Sequence, residues 1–303
     1  MHVFGRREWK EFLLRLYNKV DSADIFNRAA MVAFYFSFSF FPLLFFLVTL
    51  AGLILGGTES LKRDLYSYLF QIMPVSAYDL VHKTLDEIIE NSSGGKLTIG
   101  IIVTLWSASS GADTLRISLN TVYELKESRP WWKTRLQSLI VTFLFIILLT
   151  LALIAVSTGL KMFDVLLVWA GLNVDSPYTF IAVQWISLLA MLLFASEVIY
   201  NWLPCHNKFQ WSWVTPGSAV AILLWVLFSG GFRLYLQYFN NYNNAYGSLG
   251  AVIILMLWMF LSATAILIGG SINSVLSEMR AGSPEKVSNG DAKDAGSSQH
   301  ESD

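Results

Sequence analysis

Apolar runs long enough to cross a bilayer alternate along this chain with short polar connections. The clearest runs from Tyr246 to Asn273, where YGSLGAVIILMLWMFLSATAILIGGSIN carries no charge across 28 residues. A hydrocarbon core about 30 Å thick needs roughly 20 apolar residues of helix, and a soluble core helix rarely stays uncharged for so long. Ser248, Ala251, Ser262, Ala265, Gly269 and Asn273 fall within about 100° of one another on a helix, a small and polar stripe on a bulky cylinder. That stripe is expected to face other helices or a cavity, with lipid against the rest.

Six such runs can be drawn, at about 29–55, 97–112, 137–160, 179–202, 213–232 and 247–272. They predict an all-α integral membrane protein, a bundle of six transmembrane helices with amphipathic interfacial helices and both termini cytoplasmic. The second run is short and rich in small residues. Beyond it Leu115, Leu119 and Val122 share one face while Asp113, Arg116, Asn120 and Glu124 share another, so an amphipathic helix is expected to leave the membrane there. Residues 1–28 form a charged leader in which Trp9, Phe12, Leu13, Leu16, Tyr17 and Val20 keep helical spacing. Such a helix suits either the anionic inner leaflet or the cytoplasmic loops. The first apolar run is too long for a signal sequence and is expected to remain as a span. Two further amphipathic patterns, Leu61 to Ile72 and Val81 to Ile89, flank Pro74 in the outer connection, and residues 281–303 lack apolar periodicity and are expected to be disordered.

Charge sets the orientation. Of 21 Lys and Arg, 15 fall in the leader, the second-to-third and fourth-to-fifth connections and the tail. The positive-inside rule then places both termini in the cytoplasm. Only 14% of residues are charged and 54% are hydrophobic, where a soluble domain carries about 25% charged residues. The single cysteine, Cys205, excludes an internal disulfide framework and a clustered thiolate site.

Several of these segments together, RAAMVAFYFSFSFFPLLFFLV, WSASSGADTLRISLNTVYEL, NWLP, VTPGSAVAILLW and FNNYNNAYGSLGAVIILMLWMFLSATAILIGGSIN, resemble the YihY/BrkB family of bacterial inner-membrane proteins over most of residues 25–280. The resemblance implies six helical spans with both termini inside. Members of that family have carried a ribonuclease BN label, names linked to serum resistance and virulence, and proposals of lipid export or cation/proton antiport. Glu197, near the end of the fourth run, stands where the family looks apolar, and it is not read as a family site.

The residues disfavour a nuclease. Metal-assisted hydrolysis needs His and carboxylate ligands at close spacing, whereas His2, His82, His206 and His300 are scattered and no H-x-H, H-E-x-x-H or C-x-x-C occurs. No G-x-x-x-x-G-K-[ST] loop points to a bound nucleotide. No enzyme activity, cofactor, metal or nucleic-acid partner is therefore expected. Polar side chains at membrane depth are the mark of transport. Candidates are Ser37 and Ser39 near Pro42, then Ser107, Ser109, Ser110, Asp113, Gln184, Ser187, Ser262 and Asn273. Asp113 either works as a carboxylate near the inner mouth or is satisfied by Arg116 one turn on. Pro42 makes a hinge or a fixed kink. At the outer start of the last span, Asn240, Asn243, Tyr246 and Gly247 offer amides and phenols to a headgroup or sugar, or simply build a turn and an aromatic belt. The leading expectation is an inner-membrane transporter of an envelope lipid or other amphiphile, with membrane lipids as partners. Cation/proton antiport is the alternative and a non-transporting scaffold the third reading; ion coupling and homo-oligomers stay open.

Overall fold

The computed structural model describes residues 6–55, 67, 94–157, 177–206, 211–238 and 248–282. Among them every regular element is helical: α1 Arg6–Ser22, α2 Ile25–Leu55, α3 Gly94–Val122, α4 Trp131–Ser157, α5 Pro177–Glu197 continued by a π-helical turn Val198–Trp202, α6 Pro216–Tyr238 and α7 Ser248–Gly282. From α2 onward each helix packs on the next, and α7 returns to α2, closing a ring of six. α7 also touches α3 across the ring and carries α1 on its other side.

Among the described residues four helices are long and apolar enough to cross a membrane: Trp131–Ala152, Gln184–Trp202, Pro216–Tyr238 and Val252–Arg280. They match the runs expected at 137–160, 179–202, 213–232 and 247–272. The runs at 29–55 and 97–112 lie within α2 and α3. Two starts differ from expectation. The third helix begins at Trp131, directly after Pro130, because proline disfavours helix in the residue before it. The fifth begins at Pro216, because Thr215 caps it. The expected outer amphipathic pair, the tail beyond Gly282, and Asn240, Asn243, Tyr246 and Gly247 all lie outside the described residues. α2 runs without interruption through Pro42.

The core gathers at the end of the bundle that bears α1. Ile25, Ala29 and Val32 from α2 meet Leu115, Leu119 and Val122 from α3, and Val198, Leu203, Ala263 and Leu267 complete it. The wall away from the core is apolar and open, as at Trp185 (69% exposed), Ile186, Leu223 and Leu227. A helix with apolar residues all round and an exposed apolar wall is built for lipid rather than water.

Helix ends are closed by specific hydrogen bonds. α3 terminates with Leu125 N–H on the Asn120 carbonyl and Glu124 N–H on that of Thr121, with Glu124 at φ 55°, the paired bonds of a left-handed cap. Its carboxylate then takes Lys19 of α1, which also binds Glu278 of α7. Burial works to lower the Lys19 pKa, but the two carboxylates outweigh it and raise it above the ordinary value. The leader helix is thus pinned at its C-terminal end to α3 and α7, while Trp9, Leu13, Leu14 and Tyr17 stay exposed.

The stripe on α7 is a packing seam. Ser262 Oγ accepts the Trp225 indole at 3.1 Å, and Trp258 donates to Ser229 at 3.2 Å, so α6 and α7 exchange one indole bond each way. Further along, Gly217 and Gly269 bring the two backbones into direct contact. A Cβ on Gly269 would sit 2.6 Å from the Gly217 carbonyl oxygen and collide with the Tyr200 phenol. Gly269→Ala is expected to cost about 1–3 kcal/mol from overpacking against backbone that cannot yield. Gly230→Ala, with open space around it, should cost none of that overpacking penalty; thermal unfolding of both variants in detergent checks the pair.

Candidate functional site

Two polar assemblies occupy the helix seams at this end of the bundle. The first centres on Glu197, 1% exposed in the last turn of α5. Its Oε1 accepts the Thr215 amide at 2.7 Å and the Thr215 hydroxyl at 3.1 Å, and its Oε2 accepts the Asn201 side-chain amide at 2.7 Å. These hydrogen-bonding donors are neutral. Thr215 is the N-cap of α6, its hydroxyl oxygen accepting the Ser218 N–H, with Pro216 next at the position where a missing N–H does no harm. The carboxylate therefore sits at the positive end of α6, which favours negative charge without a cation.

Asn273 joins this cap to α7. Its Oδ1 accepts the Gly217 N–H at 2.8 Å, and its Nδ2 donates to the Thr215 hydroxyl at 3.0 Å. The hydroxyl thus accepts from Asn273 and donates to Glu197, a directed chain from α7 through α6 to α5. Tyr200 donates its buried phenol to the Ile266 carbonyl at 2.8 Å. The Tyr123 phenol lies beside the Asn273 amide; burial pushes its pKa well above the ordinary value, Asn273 opposes the shift and the Glu197 charge adds to it.

The π-turn is what lets these groups meet. Leu203 N–H reaches back five residues to the Val198 carbonyl, and π-turns often mark functional positions. Asn201 pairs with both backbone groups of Ser212, fastening the segment before α6. The freed carbonyls at the end of α5 find donors on α4 and the preceding loop: Gln137 donates to Trp202, and Arg129 to Leu203 at 3.3 Å.

The second assembly is a chain of alternating charge. Asp113 Oδ1 accepts two bonds from Arg116, at 2.9 and 3.1 Å, and one from Ser138. Arg116 continues to Glu127, and Glu127 to Arg129 at 2.8 Å. On the polar face of α3 Arg116 and Asn120 are buried, Asn120 holding the Cys205 N–H at 2.8 Å. Segments 123–130 and 203–206 cover that face. Between the assemblies lies a cleft of about 310 Å³ lined by Arg129, Gln137, Asn201, Cys205 and His206.

The structure sorts the expected residues plainly. Asp113 pairs with Arg116 one turn on. Ser37, Ser109, Ser187 and Ser262 all return their hydroxyls to a carbonyl of their own helix. Asn273 is committed to α6. Glu197, set aside on sequence, is the centre of the network, and its one sequence signal was an acid within an otherwise apolar run. Among the described residues no group of three His, Cys, Asp or Glu could hold a metal ion.

Apolar helices with an open outer wall and polar groups drawn into the seams define an α-helical membrane protein. This chain belongs to the family described as virulence factor BrkB, which matches residues 16–295. It is similar to the ribonuclease-like protein YfkH of Bacillus subtilis (strain 168), with 31% identity over 265 residues, covering 88% of this chain and 94% of that protein. A UPF0761 membrane protein of Xanthomonas campestris pv. campestris (strain B100) is 24% identical over 279 residues, 91% of this chain and 61% of its own length. One from Idiomarina loihiensis is 27% identical over 236 residues, 76% of this chain and 78% of that protein. The chain spans about three-fifths of the Xanthomonas relative. No solved structure matches.

Two outcomes test this geometry. Glu197→Ala strands the Thr215 and Asn201 donors and is expected to cost about 2–4 kcal/mol, while Glu197→Gln keeps an acceptor for Thr215 and should cost about half as much, by thermal unfolding in detergent. Equal losses would show that charge, not hydrogen bonding, holds the site. For the second assembly, Arg129 lowers the Glu127 pKa to about 2. The folded value lies below the unfolded one, near 4.3, so the pair's stabilisation is complete above about pH 5 and is lost as pH falls toward 2. The stability gap between wild type and Glu127→Gln should close over that window.

Proposed function

We propose that this protein is a six-span transporter of the bacterial inner membrane, both termini cytoplasmic, that moves an envelope lipid or another amphiphile and couples the movement to the charge on Glu197. The observation that carries the reading is that carboxylate, buried in an apolar helix and answered, among the described residues, by neutral hydrogen-bonding donors. An ionisable side chain inside a spanning helix is expensive and marks function by default. Its charge state is also structural: an ionised Glu197 accepts the α6 cap, whereas a protonated one must donate and gives up part of it. Tyr123, Tyr200, Asn201 and Thr215 surround it, and of these only the two phenols titrate. Protonation would thus loosen the tie among α5, α6 and α7, the kind of bistable contact that transport requires.

Other features support the envelope setting. The charge asymmetry favours internal termini, the exposed face of α1 suits the inner leaflet, and the relatives are named as membrane proteins. The ribonuclease-like wording in the Bacillus relative's name finds no metal-ligand cluster among the described residues. The same buried acid favours a second reading, cation/proton antiport, and Glu197 replaces Asp113 as the acid that would serve it.

Proteoliposomes separate the two. With a lipid transporter, a pH gradient speeds the exchange of headgroup-labelled lipid between leaflets, and Glu197→Gln removes the dependence on the gradient. Collapse of the pH gradient by sodium or potassium, with lipid unmoved, would establish antiport instead. No flux of either kind leaves a scaffold and ends the transport reading.

A further inference from the structure

We infer that the cleft beside Arg135 binds the phosphate-bearing headgroup of an anionic membrane lipid. This deepens the transport reading and rests on it only for the fate of the lipid; binding stands alone. The cleft, about 240 Å³, lies among α2, α3 and α4, lined by Met31, Tyr35, Ser110, Asp113, Ile117 and Arg135. That is small for a ligand site, where about 300–1,000 Å³ is usual, and it suits a headgroup whose tails remain outside.

Charge decides the sign of the ligand. Asp113, Arg116, Glu127 and Arg129 form the neutral alternating chain described above, and each of its charges is answered within it. Arg135 makes no ion pair among the described residues, and the charge it shares the cleft with, Asp113, is already paired with Arg116. Its guanidinium stacks 4.2 Å above the Trp106 ring and donates to the Trp106 carbonyl and, at 3.5 Å, to Ser110 Oγ. Its Nε–H is buried and meets no acceptor. The guanidinium lining the cleft is matched by the oxygens of a phosphate, which can take more than one N–H at once. The Ser110 hydroxyl and the Tyr35 phenol bring further hydrogen-bonding groups to the same space.

Surroundings decide the source. Tyr35 and Ile117 on the cleft wall are exposed, as are Trp106 and Trp131, whose rings pack 5.8 Å apart at the start of α4. Tryptophans at the end of a spanning helix lie at headgroup level. A soluble phosphate gains nothing from such a rim, whereas a lipid lays its glycerol and upper acyl chain along it.

The test is native mass spectrometry of the purified protein titrated in detergent with phosphatidylglycerol, phosphatidylcholine and inorganic phosphate. One phosphatidylglycerol per chain is expected, held at least tenfold more tightly than phosphatidylcholine and not displaced by inorganic phosphate. Arg135→Gln should weaken it at least tenfold, and Lys133→Gln, whose ammonium lies over Trp132, should not. Wild-type affinity in Arg135→Gln, equal retention of the two lipids, or displacement by phosphate would overturn the site. Should Arg135→Gln not fold, benzoylphenylalanine at position 117 must crosslink phosphatidylglycerol and resist competition by phosphatidylcholine; failure there overturns it equally. Retained binding with no flux in proteoliposomes would sink the transport reading and leave this site intact.

Discussion

A carboxylate withdrawn from water must recover its hydrogen bonds from the protein, and in this bundle three helices are arranged around that need. Among the described residues Glu197 pairs with no cation, and its charge is met by the start of α6: the Thr215 amide, the Thr215 hydroxyl and the helix dipole behind them. Placing α6 there demands the π-turn at the end of α5, the clamp between Asn201 and Ser212, and the crossing at Gly217 and Gly269 that lets Asn273 reach the cap. Removing the Thr215 cap leaves the buried Glu197 carboxylate short of donors, which costs more than the bond itself contributes.

The contrast with the neighbouring charged chain is instructive. Asp113, Arg116, Glu127 and Arg129 hold one another in a closed sequence of opposite charges at the edge of the bundle, partly open to solvent. Such an arrangement fixes where α3 ends and how the following loop lies, and its carboxylates need nothing from a ligand. Glu197 and Arg135 make no ion pair among the described residues, Glu197 being met there by neutral donors. Function is therefore sought at these two charges.

Much of the scaffold was legible in the sequence. The run at 179–202 became helix from Pro177 to Trp202, and the small stripe of the last run became the seam with α6, Ser262 and Asn273 both meeting it. Uncharged length and angular periodicity carry that information directly. Neither reports what covers a polar face. At Asn120 and Arg116 amphipathic spacing looks the same whether water or a folded-back loop lies opposite. Glu197 was passed over for a related reason: its partner Thr215 belongs to another helix, and a cap across helices leaves no spacing to find. Arg135 entered the reading only as a topological charge, since the stack on Trp106 exists only once α3 and α4 have packed.

The cap around Glu197 also bears on how the chain enters the bilayer. Its donors are near in sequence: Asn201 lies one turn along the same helix and Thr215 only 18 residues on, at the head of the next span. A hairpin of α5 and α6 therefore carries its own substitute for hydration and can take the acid into hydrocarbon before α7 is made. Asn273, arriving last, then closes the ring by binding a cap that is already formed.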